Sequence, residues 1–128
     1  MTKLDFYNLF NEKILEFAKE LCDVFPNVQE FKRFRSVVLM LQNIEPKTLE
    51  NIFKTYVLDK YKDKLLQKEE SFFLDHQEYE IYSQRTDYWL SFIEQIKNMW
   101  QTLDADKKEI VWKYFHVLIV ISDKCHQC

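Results

Sequence analysis

Residues 105–124 read ADKKEIVWKYFHVLIVISDK. Two readings compete for this stretch. The β-branched run VLIVI, 117–121, has the composition of a buried strand. The whole segment, from Ile110 to Ile121, also suits a helix that is apolar nearly all round and interrupted only by Lys113 and His116. Such a helix is usually wrapped by others. A strand needs a partner, and no other part of the chain alternates with a period of two, so the segment is read as helix. Asp104 stands where an N-cap is wanted.

The rest of the chain agrees. Tyr7, Phe10, Ile14, Phe17, Leu21 and Val24 recur at helical spacing within a first helix, Asp5–Phe25, with Thr2 and Asp5 as its cap. Pro26 ends it, because the residue before proline is pushed out of the α region. Asn27 then caps a second helix, with Glu30 completing a capping box and Phe31, Phe34, Val38 and Leu41 facing inward. Asn43 stops that helix. Pro46 opens a third, running through Leu49, Ile52, Phe53, Tyr56 and Val57 towards Leu66. A fourth, about Thr86–Leu103, carries Trp89, Ile93, Ile96, Trp100 and Leu103. The expected architecture is all-α: one domain over 1–128, a five-helix bundle with the C-terminal helix central.

Composition supports this and narrows the chemistry. The chain has 128 residues, 47% hydrophobic and 16% aromatic, and no glycine. Average usage would give about nine glycines. Tight hairpins draw on glycine for positive φ, so an all-β fold would be hard to connect. Fifteen lysines against three arginines, with two alanines and two prolines, point to AT-rich coding. Without glycine there is no P-loop, no Rossmann fingerprint and no nucleophile elbow. H-E-x-x-H and the calcium-hand loop are also missing. No catalytic residue and no cofactor is assigned, and the chain is read as a non-enzyme.

Charge is unevenly spread. The total is −3. Residues 28–68 carry nine basic and five acidic groups, whereas 69–94 carry one basic and seven acidic. Such a split can guide association with a partner or with a second copy. The acidic part includes EESFFLDHQEYEIY, 69–82, which has neither helical nor strand period. It is read as an ordered connector pinned to the core by Phe72, Phe73 and Leu74. Long connectors are often functional, so Glu69, Glu70, Phe72, Phe73, Asp75, Tyr79 and Tyr82 form a candidate interaction surface. Lys32, Arg33, Arg35, Lys60 and Lys64 form a candidate phosphate-binding face. The pI near 5.6 argues against a dedicated nucleic-acid binder, so nucleic acid stays a partner that is not favoured.

The C-terminal Cys125-His126-Gln127-Cys128 supplies two thiols at zinc-binding spacing. Zinc needs four ligands and no second pair exists, so Cys125 and Cys128 are weak metal candidates, read first as exposed thiols in a frayed tail. His116 is read as a core-edge histidine with a backbone or carboxylate partner. Three cysteines, an odd number, suit free thiols in a reducing compartment. The start, MTKLDFYNLFNEK, is charged and amphipathic, so no signal peptide is expected. The longest apolar run, 117–121, falls far short of the ~20 residues that span a bilayer, so no membrane partner is expected.

Several phrases, taken in order, resemble a known group. They are LCDVFPNVQEFKRFRSVVLMLQ (21–42), IEPKTLENIFKTYVLDKYKDKLLQKEESFFL (44–74) and IKNMWQTLDADKKEIVWKYFHVLIVIS (96–122). A VFP break, an FKRFR helix, a PK helix start, a KEESFFL connector and a final helix around IVWKY follow one another as in small α-helical proteins of giant nucleocytoplasmic DNA viruses. The resemblance covers most of 6–122 and agrees with AT-rich coding. It brings no active-site residues and does not account for the CHQC tail. It implies a virion component or a host-facing interaction protein, placed in the host cell cytoplasm or the virion. The alternative is a nucleic-acid-associated factor in viral transcription or genome packaging.

Overall fold

Thr2 and Asp5 cap the first helix reciprocally: Thr2 Oγ1 accepts from the Asp5 N–H at 3.2 Å, and the Thr2 N–H donates to Asp5 Oδ2 at 2.8 Å. Both bonds satisfy amides that a helix start leaves open. The computed structural model describes residues 2–74 and 87–126, with backbone alone for 87–90. Every element in them is helical. α1 is Lys3–Val24, α2 Gln29–Ile44, α3 Thr48–Phe53, α4 Asp59–Leu66, α5 Ser71–Leu74, α6 Asp87–Met99 and α7 Ala105–Cys125. A π turn, Lys54–Leu58, joins α3 to α4 into one rod, and a 3₁₀ turn, Trp100–Thr102, prolongs α6.

The VLIVI run is therefore helix, inside α7. Asp104 caps α7, its side chain accepting from the Lys107 N–H at 2.9 Å. The helix is less enclosed than its composition suggests. Glu109, Lys113, Val120 and Lys124 share one solvent-facing stripe, while Val111, Trp112, Phe115, Leu118, Ile119 and Ile121 are buried. α1 packs along both α2 and α7, and α7 also meets α4.

Three local expectations are corrected. α2 is not capped by Asn27: Val28 holds the N-cap position without a side-chain bond. The bend after Pro26 uses backbone instead, the Val28 N–H donating to the Phe25 carbonyl at 3.2 Å. Pro46 precedes the third helix rather than opening it, since α3 starts at Thr48. The Pro46 carbonyl instead accepts from Asn11 Nδ2 at 2.8 Å, tying this turn to α1. Leu74 does not pin the connector, being exposed.

Phe72 and Phe73 do pin it. Phe73 stacks on Trp100 with ring centroids 4.1 Å apart, and Phe72 lies against Tyr61 and Phe115. These rings join a single buried cluster with Phe10, Phe17, Phe34, Phe53, Phe92 and Phe115. α4 ends in a Schellman turn: Glu69 N–H donates to Lys64 O and Lys68 N–H to Leu65 O. Lys68 occupies the left-handed position, φ 54°, that glycine normally takes.

Candidate functional site

The rod 48–66 brings together most of the chemistry. Its outer side is lysine-rich, and its π turn bonds residues five apart rather than four. Lys54 accordingly reaches Asp59, five positions on, at 3.0 and 3.2 Å. A cleft of about 390 Å³ opens beside this turn, lined by Lys54, Lys60, Lys62 and Lys64 with Asp59, Asp63, Asp123 and Leu58. Lys62 bonds Asp123 of α7 at 2.8 Å. The lining takes in Lys60 and Lys64 of the expected phosphate-binding face and no residue of α2. Lys32, Arg33 and Arg35 sit on α2 instead, Arg33 exposed and the other two half-buried.

Beyond these basic residues, α2 turns apolar side chains outward. Leu39, Met40 and Ile44 are 42%, 55% and 68% exposed. Its inward face is already filled by Phe31, Phe34 and Val38. One helix thus presents a basic N-terminal half and an apolar C-terminal half to solvent.

On the inner side of the rod lies a group that sequence reasoning missed. Glu50 is fully buried. Ser122 Oγ donates to Glu50 Oε1 across 2.5 Å, and His126 Nε2 meets the same oxygen at 2.8 Å. Short bonds of this kind to a carboxylate are charge-assisted. Glu50 Oε2 is buried without a hydrogen-bond partner. The order of contacts matters chemically. In a nucleophilic triad the imidazole touches the hydroxyl and the carboxylate orients the imidazole. Here the carboxylate is the hub, and Ser122 is fully buried. The arrangement fastens the end of α7 to α3. Local sequence signals only that Glu50 follows Leu49 on the edge of the arc made by Leu49, Phe53 and Val57; its partners come from the far end of the chain.

Cys125 joins this corner. It is buried rather than exposed, and α7 extends to include it. That corrects the frayed-tail reading: His126 anchors the helix end to Glu50. Burial, and then the Glu50 charge, push the Cys125 thiol up to about 11. Cys128 lies outside the described residues. Among the described residues, no group of three His, Cys, Asp or Glu could hold a metal ion. His116 Nε2 donates to the Leu65 carbonyl at 2.9 Å, a backbone partner for a core-edge histidine.

The expected acidic surface divides. Glu69 and Glu70 are exposed, with Glu70 paired to Lys108 at 3.0 Å. Phe72 and Phe73 belong to the core and present no surface. Asp75, Tyr79 and Tyr82 lie outside the described residues. No helix among those described is long and apolar enough to cross a membrane. Comparison of the chain with known protein families, with curated proteins and with solved structures finds no match.

Proposed function

We propose that this chain is a non-enzymatic helical protein of a giant nucleocytoplasmic DNA virus, acting through protein–protein contacts as a virion component or a host-facing interaction protein. The viral part rests on the sequence resemblance. One observation carries the contact part: Leu39, Met40 and Ile44 stand exposed on α2, whose opposite face is already packed. Adjacent exposed apolar side chains rimmed by polar groups mark association surfaces. The occupant we assign is a second copy of the chain. The basic half of α2 carries Lys32, Arg33 and Arg35, and residues 69–94 carry seven acidic groups against one basic, so the basic segment of one copy complements the acidic segment of another. The companion reading of a five-helix bundle counts 48–66 and 87–102 as one rod each and leaves the four-residue α5 out of the count. The packing of α7 on α1 and α4 supports an inner place for one side of that helix, the other side facing solvent.

The test is mass by light scattering across a concentration series. Wild type should self-associate, less so at high salt. Met40→Glu and Ile44→Glu, both on exposed positions, should leave the helical spectrum intact and give monomer. A wild-type chain that stays monomeric at every concentration overturns the assignment of a second copy.

The cleft favours a second reading, a nucleic-acid-associated factor in viral transcription or packaging. It brings only Lys60 and Lys64 of the basic set to one place, which is a small footprint for a backbone-tracking protein.

A further inference from the structure

We propose that the cleft beside the π turn binds the phosphate oxyanions of a small polyphosphorylated molecule through Lys60 and Lys64. Its volume, about 390 Å³, falls within the range of small-ligand sites. The four lysines lining it are not equivalent. Lys54 is held by Asp59 and Lys62 by Asp123. These pairs occupy those two ammoniums. Lys60 and Lys64 are one helical turn apart on α4, and among the described residues neither has an ion pair. Like charges at this spacing repel each other along a helix. An anion between them relieves that repulsion and gains two charge-assisted hydrogen bonds.

The π turn is the second observation. Such turns occur mostly as single inserted residues and recur at functional sites. Here the Asp59 N–H bonds the Lys54 carbonyl and the Asp59 carboxylate meets the Lys54 ammonium, while Lys62 pairs with Asp123. Asp63 is the one lining carboxylate without an ion pair among the described residues. Its single charge leaves the free part of the lining positive and places a polar wall beside the two lysines. The lining is mostly polar, with Leu58 its one apolar side chain, as suits a charged, compact ligand rather than an aromatic ring.

The test uses inorganic tripolyphosphate titrated into the full chain, followed by calorimetry and by the side-chain signals of ¹³C-labelled lysine. Saturable binding is expected, with the Lys60 and Lys64 signals moving most and affinity falling as salt rises. The variant Lys60→Gln/Lys64→Gln should weaken binding by about tenfold or more, while its helical spectrum matches wild type. Lys19→Gln/Lys113→Gln, at exposed positions of α1 and α7 outside the cleft lining, should bind as wild type does. Equal loss in both variants would show diffuse attraction to positive charge and overturn the site. No saturable binding would overturn it as well. A third arm uses a short single-stranded oligonucleotide: binding of the oligonucleotide without tripolyphosphate binding overturns the small-ligand assignment. None of these readouts depends on α2 self-association.

Discussion

His126 Nε2 lies 2.8 Å from Glu50 Oε1, joining residues 76 positions apart in the chain. Ser122 reaches the same oxygen. One buried carboxylate oxygen therefore receives both ends of the last turn of α7.

Removing the members of this network should have unequal effects. Ser122 is fully buried, so Ser122→Ala withdraws a hydroxyl bond from a desolvated carboxylate and should destabilise by about 1–3 kcal/mol. His126 is partly solvated, and His126→Ala should cost less. Glu50→Ala leaves a buried hydroxyl without its acceptor and opens a void, and should be the worst of the three. Urea midpoints at constant slope rank them.

Cys125 sets a pH dependence. Its thiol is pushed up to about 11 from an ordinary 9.0. Between those values the unfolded chain gives up the proton and the folded chain keeps it, so the unfolded state binds fewer protons. Stability should therefore fall as pH rises from about 9 to about 11. Cys125→Ala should flatten that part of the profile. At neutral pH, Cys125 should also react with a thiol reagent only on unfolding.

Phe73 is stacked on Trp100 and fully packed. Phe73→Ala should cost about 3–5 kcal/mol and blunt the near-ultraviolet circular dichroism of the tryptophans. A change in partner binding without loss of stability would contradict its place in the core.

Lys68 holds a left-handed conformation at the end of α4. Lys68→Gly should stabilise by about 1 kcal/mol through relief of that strain, less the small contribution of the exposed Lys68–Glu109 pair, 3.2 Å. Thermal melting of the two proteins measures the difference.

Much of this fold was legible because burial follows period. Phe10, Ile14, Phe17 and Leu21 are buried as their spacing predicts, and Pro26 ends α1 where the α region closes. Thr2 and Asp104 cap by rules that need only local sequence. Glu50 was harder. Its acceptor role is created by Ser122 and His126, more than seventy positions away, and no local pattern contains them. The π turn was hidden for another reason: KTYVL has no residue that demands it, and its register follows from how the rod packs. Phe72 and Phe73, an aromatic pair in an acidic stretch, suit both a core anchor and a surface by sequence, and the anchor is what the fold uses. Their partners, Trp100 and Phe115, arrive from later helices.

The turn at Lys68 has a consequence for the kind of shape this chain can hold. Lys68 is the only residue with positive φ among the described residues. In a chain with no glycine, every left-handed position must be occupied by a residue with a β-carbon. Each such position adds conformational strain. Helices joined by right-handed or extended corners need few of them. A strand-rich alternative would need one at most of its tight turns. The alphabet available to this chain therefore restricts its topology before any core is packed.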